Sequence, residues 1–182
     1  TWEFDGTTWT QQPASGPAAR DLLAMAYNSE RTILFGGSNG GNLGDTWEFD
    51  GKAWVRRATS GPPPRSSHAM AYSGRDRVLL FGGNVGGSNN LADTWEFDGT
   101  TWTQRPIAGP AARNSHAMVY DPSRDRVVVF GGTGSSSGFS PGSFNDTWEF
   151  DGGTWTQRNP ATSPGARVNH AMTYDAARGR IV

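Results

Sequence analysis

Large aromatic residues alternate with polar ones in a six-residue stretch, TWEFDG, that occurs four times in the 182-residue chain. The copies occupy residues 1–6, 46–51, 94–99 and 147–152, and each is followed by another tryptophan, at Trp9, Trp54, Trp102 or Trp155. Alternation of apolar and polar positions predicts a β-strand. The Asp-Gly that ends each copy indicates a tight type I′ turn, because that turn requires positive φ at both central residues. We therefore expect four β-hairpins whose tryptophans become buried when neighbouring hairpins stack.

A second pair of strands separates one TWEFDG hairpin from the next. In the second repeat, Arg65 precedes the run His-Ala-Met-Ala-Tyr at residues 68–72, and a turn at 73–76 leads to a strand at 77–81 and a Gly-Gly pair. The period of two places the large residues of this run on one face and its alanines on the other, which suits interdigitation of neighbouring sheets. The matching strands are predicted at residues 22–27 and 32–35, 116–120 and 126–130, and 170–174 and 178–182. Because no window has helical periodicity, the chain is predicted to be all-β.

Four short strands in each unit of about 45–50 residues are the sequence signature of a propeller blade. The repeated series is an arginine, His-Ala-Met-x-Tyr, Val-x-x-Phe-Gly-Gly, Asp-Thr-Trp-x-Phe-Asp and a second tryptophan, with small departures in the first unit, and the given sequence ends within the fourth series. This series resembles the kelch repeat and covers the whole chain. The resemblance implies a β-propeller of four-stranded antiparallel blades, with four blade-equivalents here, similar to the propeller domain of galactose-oxidase-like proteins. It also implies that the Arg-His strand is innermost in each blade and the last tryptophan strand outermost.

One blade is divided between the two ends of the sequence. Residues 1–11 supply third and outer strands, and residues 170–182 supply inner and second strands. Three arrangements follow: the chain closes on itself, it is an excerpt of a longer propeller, or two copies complete each other's divided blades. The last predicted strand stops before its Phe-Gly-Gly, which favours the second arrangement. Residues 1–182 are then a single kelch-like domain that is part of a longer propeller. Hydrogen bonds between residues 1–4 and 178–182 would instead support self-closure.

Binding residues are expected on the face that carries the variable loops. Loops 38–44, 84–92 and 133–145 differ in length, at 7, 9 and 13 residues, and variable loops on a rigid scaffold commonly bind ligands. Phe139 and Phe144, in the longest loop, are therefore candidate ligand contacts. The kelch resemblance implies the same for four arginines, which are Arg20, Arg65, Arg113 and Arg167. The alternative that we favour for the arginines is a repeating ion pair with Asp45, Asp93 and Asp146.

Little in the sequence supports catalysis. The chain has no cysteine, so the tyrosine–cysteine copper site of galactose-oxidase-like enzymes cannot form. No nucleophile–base pair or carboxylate pair stands apart from the repeat pattern. Three histidines occupy equivalent positions, but Leu23 takes the fourth, so packing is favoured over metal ligation at His68, His116 and His170. We predict no cofactor, no metal and no enzymatic activity.

Charge and hydropathy narrow the class of partner. The net charge is −1 and both signs are interspersed, which argues against nucleic acid, and no apolar run approaches the length of a membrane span. The first hypothesis is a non-catalytic scaffold that binds a protein or glycan through its variable loops, with an extracellular or cell-surface location favoured. The alternatives are the scaffold domain of a larger secreted enzyme and a structural surface or appendage protein.

Overall fold

The structure, a computed structural model, describes residues 1–12, 15–57, 60–134 and 142–182. Throughout these ranges the regular structure is β-strand, without a helix. The strands are β1 (Trp2–Phe4), β2 (Trp9–Gln11), β3 (Ala24–Tyr27), β4 (Thr32–Phe35), β5 (Thr46–Phe49), β6 (Trp54–Arg57), β7 (Ala69–Tyr72), β8 (Val78–Phe81), β9 (Thr94–Phe97), β10 (Trp102–Arg105), β11 (Ala117–Asp121), β12 (Arg126–Phe130), β13 (Thr147–Phe150), β14 (Trp155–Arg158), β15 (Tyr174–Asp175) and β16 (Arg180–Ile181). No described segment therefore forms a helix that could span a membrane.

The strands form three four-stranded antiparallel sheets and two separate hairpins. The first sheet is β3–β6, the second is β7–β10 and the third is β11–β14, each with its strands in sequence order. The N-terminal hairpin is β1–β2 and the C-terminal hairpin is β15–β16. The predicted all-β class and four-strand repeat are confirmed, and the arrangement is consistent with a propeller-like fold.

Neighbouring sheets pack through the two faces predicted for the inner strands. Ala69 and Ala71, on one face of the second sheet, share a core cluster with Met118 of the third. Met70, on the opposite face, shares a cluster with Ile33 of the first sheet. The large side chains of one sheet therefore fill the small-residue face of the sheet before it, and each fully buried one contributes roughly 1.5–3 kcal/mol.

The last tryptophan of each sheet seals the junction with the preceding unit. Trp102 is 6% exposed, and its ring lies 5.4 Å from that of Phe35. Its Nε1 donates a hydrogen bond of 2.9 Å to Oγ1 of Thr46. Equivalent hydrogen bonds run from Trp155 to Thr94 and from Trp54 to Thr1. The predicted structural role of the tryptophans is confirmed at these junctions.

Two tryptophans of the N-terminal hairpin do not follow this rule. Trp2 is 58% exposed and Trp9 is 61% exposed, as is Phe4 beside them at 53%. The prediction of burial is wrong for these residues, because no unit of the described chain packs on the face of the hairpin that would precede it. Their exposure leaves an apolar surface at one end of the row of sheets.

The turn after each TWEF strand is not of type I′. Phe49 pairs with Trp54, which leaves a four-residue loop between them. Gly51 has a φ of +89°, but Asp50 does not have positive φ. Instead, the Asp50 carboxylate accepts hydrogen bonds of 2.9 Å from the backbone N–H groups two and three residues further on. The predicted turn type is wrong because the aspartate closes the loop with its side chain.

The inner strands begin later than predicted. In the second unit, Ser67 has a φ of +54°, and regular pairing starts only at Ala69. A left-handed residue cannot continue a strand, so it delays the ladder. In the fourth unit the strands shrink to two residues each, and the last backbone pair joins Thr173 and Val182 at 3.0 and 2.9 Å. Residues 170–172 have no described strand opposite them, which corrects the prediction of a strand at 170–174.

The two end hairpins do not pair with each other in the structure. β1 is bonded only to β2, and β16 only to β15, within the described residues. Self-closure through residues 1–4 and 178–182 is therefore not observed. The other two arrangements stay predictions.

Candidate binding face

The variable loops and the four candidate arginines lie along one edge of the sheets. We call this edge the loop face, defined by loops 38–44 and 84–92, residues 133–134 and 142–145, and the four segments that lead into the inner strands. Phe139 lies outside the described residues. The opposite edge, which carries the Asp-Gly turns, is called the turn face.

Arg65 is held on the loop face by contacts inside the protein. Its side chain is fully buried and binds Asp93 with two hydrogen bonds, of 2.7 and 2.8 Å. Nη1 also donates to the carbonyl of Gly82 at 2.9 Å, and Nε donates to that of Pro63 at 3.1 Å. Four of its five N–H donors are therefore used inside the protein.

The same arrangement recurs in two other units. Arg20 binds Asp45 at 2.6 and 3.0 Å, and the buried Arg113 binds Asp146 at 2.7 and 2.8 Å. Arg167 differs, because it is exposed and its guanidinium donates only to the Gly165 carbonyl, with no carboxylate of the described chain in reach. The ion-pair alternative is confirmed for the first three arginines. The guanidinium groups of these three arginines are buried and already paired, so they are poorly placed to contact a ligand. Of the four candidates, only Arg167 has an accessible guanidinium.

Each paired aspartate also accepts a hydrogen bond from the tryptophan two residues further on. Trp95 Nε1 lies 2.7 Å from Oδ2 of Asp93, and the other two units repeat this distance. Burial alone would raise the pKa of Asp93, but the hydrogen bonds from Arg65 and Trp95 outweigh it and keep the pKa below its usual value. The carboxylates therefore stay charged and occupied.

Phe144 packs against one of these ion pairs. The guanidinium carbon of Arg113 lies 4.2 Å from the centre of the Phe144 ring, within the range of a cation–π contact. Phe144 is half-buried and occupies the place that Leu43 and Leu91 take in the shorter loops. The structure thus gives this predicted ligand residue a supporting role at the base of the longest loop.

The ends of the three variable loops are held by the same backbone hydrogen bonds, although the loops differ in length. Leu43 N–H donates to the Gly37 carbonyl at 2.8 Å, and Leu91 N–H donates to that of Gly83 at 2.9 Å. Phe144 N–H repeats this bond to Gly132 at 2.8 Å. The carbonyls of these loop residues in turn accept the N–H of Arg65, Arg113 and Arg167 from the next unit. We call this repeated set of bonds the loop frame; it fixes the loop ends whatever lies between them.

A row of left-handed residues connects the units behind the loops. Its members share positive φ and the position before the inner-strand histidine, or before Leu23 in the first unit, and they are Leu22, Ser67, Ser115 and Asn169, at +51°, +54°, +56° and +54°. The N–H groups of the last three each donate to the carbonyl of the counterpart in the preceding unit, at 2.9, 2.9 and 3.0 Å. Sequence reasoning missed this row, because leucine, serine and asparagine share no propensity for positive φ strong enough to indicate it.

Side-chain amides join the loops to one another. Asn90 Oδ1 accepts hydrogen bonds of 2.8 Å from both Asn84 and Asn114. Asn42 donates to the Asn84 carbonyl at 2.9 Å. The loop face is therefore a polar surface on which neighbouring loops support each other. The asparagines within the loops were the signal in the sequence, but their spacing alone did not show that they meet.

The inner-strand histidines are packing residues. His116 is 6% exposed, and its ring lies 5.6 Å from that of Phe81, edge to face. Its two ring nitrogens are buried without a hydrogen-bond partner. Burial, helped by the positive charge of Arg113, lowers the pKa of His116 to about 3, so the ring is neutral near neutral pH. The packing interpretation is confirmed, and within the described chain no three metal-ligating side chains come together.

The turn face carries a second repeated ion pair. Glu96, in the middle of a TWEF strand, is buried and accepts hydrogen bonds from Arg105 at 2.6 Å and Arg77 at 3.4 Å. Glu149 is held in the same way by Arg124 and Arg158; burial opposes its charge, but these hydrogen bonds outweigh it and lower its pKa. The nine-residue spacing from glutamate to arginine across the TWEFDG hairpins of the three complete sheets could have shown this pair in the sequence.

Comparison with known proteins gives a likeness of fold. No protein-family model matches the chain, and no curated protein matches its sequence. Among solved structures, the chain is similar to that of YjhT, with a TM-score of 0.73 and 16% sequence identity. The match covers 96% of this chain and 62% of that one, so this chain spans about three-fifths of that structure. At this identity, the likeness shows a shared fold.

Proposed function

We propose that the chain is a kelch-like propeller scaffold that binds a protein or glycan partner through its loop face. The loop frame is the observation that carries this proposal. One set of backbone bonds supports loops of 7, 9 and 13 residues, so the loops differ in length and composition while the sheets beneath them stay the same. Proteins in which variable loops project from rigid elements commonly use those loops to bind a partner.

The groups available on this face favour hydrogen bonding. Three of the four candidate arginines are held in ion pairs, so of these four only Arg167 is available for a charged group of a partner. The tips are exposed at residues 39–41 and 86–89, and they consist of asparagine, serine and glycine. Small polar residues of this kind supply adaptable hydrogen bonds to carbonyl and hydroxyl groups. The prediction that the chain has no enzymatic activity stays a prediction.

Loop exchange tests the proposal without disturbing the sheets. In one variant, residues 85–89, between the bridged Asn84 and Asn90, are replaced by residues 39–41 from the shorter loop. The matched control, Lys52→Ala, changes an exposed side chain on the turn face. Wild type and both variants are applied to a printed glycan array and to a peptide array, and their melting midpoints are measured in parallel.

The expected result is a set of wild-type array signals that the loop exchange abolishes and Lys52→Ala leaves intact, at similar melting midpoints. Shortening the loop from 9 to 7 residues changes its closure free energy by only about 0.2 kcal/mol, so the exchange should fold. The proposal fails if neither array gives a signal, or if every signal survives exchange of the three loops in turn.

A further inference from the structure

A polar cleft of about 280 Å³, here called the junction cleft, lies on the turn face between the first and second sheets. The first sheet contributes Arg31, Glu48 and Arg57 to one wall, and the second sheet contributes Asp76 and the turn at Asp98 to the other. Both of these sheets are complete, so the cleft is a junction between two whole units. Every described residue in its lining is polar or a glycine, which suits a polar ligand.

Glu48 has a carboxylate oxygen that the described protein leaves without a hydrogen bond. It shares a face of β5 with Thr46, which accepts the bond from Trp102 of the second sheet, so this face is directed into the junction. Arg57 and Arg31 both donate to Oε2 of Glu48, at 2.7 and 3.4 Å, whereas Oε1 is buried without a partner. An unpaired carboxylate oxygen of this kind costs free energy, and a donor supplied by a ligand would remove that cost.

The two arginines of this wall are accessible from solvent. The side chain of Arg31 is 39% exposed and that of Arg57 is 38% exposed. Arg31 is held to Glu48 by one bond that is longer than a usual hydrogen bond, so its guanidinium can turn aside and admit a ligand group to Oε1. Among the described residues, its other guanidinium N–H groups have no acceptor. The wall of the first sheet therefore offers free donors beside an unpaired acceptor.

The wall of the second sheet offers carboxylates. Asp76 is exposed, and its carboxylate accepts no hydrogen bond from the described chain. Asp98 uses Oδ1 to accept the N–H groups of Thr100 and Thr101, at 2.8 and 2.7 Å, within its own turn. These backbone bonds, above all the one from Thr101, lower the pKa of Asp98 and keep it charged. Guanidinium donors therefore face carboxylate acceptors across the cleft.

We propose that the junction cleft binds a neutral sugar unit. A sugar hydroxyl both accepts and donates hydrogen bonds, so neighbouring hydroxyls of one ring accept from the two arginines and donate to Glu48 and Asp76. A volume of about 280 Å³ lies at the lower end for ligand pockets, which suits one ring. The site lies on the edge opposite the loop face and does not depend on the function proposed above.

The charges of the cleft disfavour other polar ligands. Its lining contains two arginines and four carboxylates, so a free anion meets more like charge than opposite charge. A cation that approaches Oε1 of Glu48 meets the two guanidinium groups bound beside it. Within the described residues, no three metal-ligating side chains come together to hold an ion. A neutral ligand rich in hydroxyl groups avoids each of these costs.

The next junction has a similar cleft that differs in one contact. Between the second and third sheets, Glu96, Arg105 and Asp125 take the corresponding places. There, Nη2 of Arg105 donates across the cleft to the Gly152 carbonyl at 3.5 Å, which joins the two walls. Arg57 makes no such bond across the junction cleft among the described residues. We therefore expect the second cleft to bind the same sugar more weakly.

Saturation-transfer NMR with the 182-residue chain tests the proposal. The neutral probes are glucose, galactose, mannose and fucose, and the charged counterparts of glucose are glucuronate and glucosamine. At least one neutral sugar should receive saturation, with a dissociation constant in about the millimolar range, as expected for a ligand of this size. The side-chain N–H signals of Arg31 and Arg57 should shift during the titration. Neither charged sugar should bind more tightly than the best neutral one.

Two substitutions alter the cleft without removing an ion pair. Thr100→Lys fills it from its lining, and Lys52 takes the same position in the turn of the first sheet, so the turn accepts a lysine. Asp76→Gly deletes one acceptor, and Gly179 takes that position in the fourth unit. Each should weaken sugar binding by about tenfold or more at a melting midpoint near that of wild type. Gly153→Lys, the same change as Thr100→Lys in the turn of the third sheet, is the matched control and should leave binding unchanged.

Three outcomes would overturn the proposal. The first is no saturation of any neutral sugar, which would mean that the cleft holds water alone. The second is tighter binding of glucuronate or glucosamine than of every neutral sugar, which would assign the cleft to a charged ligand. The third is sugar binding that survives both substitutions. Loss of sugar binding on loop exchange alone would place the sugar on the loop face instead.

Discussion

Removing the guanidinium of Arg113 should destabilise the fold by about 3–4 kcal/mol. The side chain is fully buried, and its loss leaves Asp146 without its two charge-assisted bonds and the Gly131 carbonyl without its donor. Breaking a buried ion pair by deleting one partner costs about 3–5 kcal/mol. The estimate lies in the lower part of this range because the Asp146 side chain is 19% exposed and regains water, while loss of the contact with Phe144 adds a smaller amount.

Arg167→Ala is the matched control for Arg113→Ala. Arg167 occupies the same position in its unit but is exposed and has no ion pair within the described chain, so its substitution should change stability by less than about 0.5 kcal/mol. Urea unfolding followed by tryptophan fluorescence measures both. For a chain of this length, the predicted loss corresponds to a fall in Tm of about 6–16 °C.

The pH dependence of this difference provides a second check. Hydrogen bonds from Arg113 and Trp148 outweigh the effect of burial and lower the pKa of Asp146. The stabilisation is therefore present above the usual aspartate pKa and is lost as the pH falls through the lowered value. Equal midpoints for Arg113→Ala and Arg167→Ala at neutral pH would refute the assignment of a structural role to the buried arginines.

Three further predictions concern the core and the turns. Burial lowers the pKa of the two fully buried histidines to about 3, so the unfolded chain binds more protons between that pH and about 6.5. Stability should accordingly fall on acidification by up to about 1.4 kcal/mol per pH unit for each ring, and a flat urea midpoint from pH 7 to 4 would contradict this. Gly132→Ala should destabilise strongly, because φ is +88° and a Cβ would lie 2.7 Å from the Asn114 carbonyl, whereas Gly41→Ala, in open space, should change the melting midpoint little. Trp155→Ala should cost about 3–5 kcal/mol, and Trp9→Ala very little, since the Trp155 ring is buried and the Trp9 ring is exposed. Similar losses of stability for both variants in calorimetry would count against the described junctions.

The sheets were predictable because the sequence patterns that determine them are short and recur along the chain. Alternation within TWEF and within His-Ala-Met-Ala-Tyr sets which side chains share a face, and the structure places Met70 and Ala71 on opposite sides as expected. The arginine–aspartate pairs were predictable too, because Arg65 and Asp93 precede strands that begin on the same face, and each needs a partner once buried. Repetition along the chain strengthened each of these inferences.

The loop face was less predictable because its contacts join separate units. Ser67 and Ser115 adopt positive φ to satisfy backbone groups of the preceding unit, a requirement that no local propensity expresses. Asn90 meets Asn114 across a junction whose geometry depends on how two sheets pack. The type I′ prediction failed for the opposite reason: the rule for Asp-Gly assumes a two-residue turn, and the side chain of Asp50 stabilises a longer one.

The row of left-handed residues has a mechanical consequence. Through this row, a unit is bonded to the unit before it, and the inner strands of neighbouring units also pack together, as β7 does against β3 and β11. Such a stack transmits load from neighbour to neighbour. A chain pulled from its two termini should therefore come apart from the ends inward, one unit at a time. Successive TWEFDG copies start 45, 48 and 53 residues apart, so each rupture should release about 150–190 Å of extended chain.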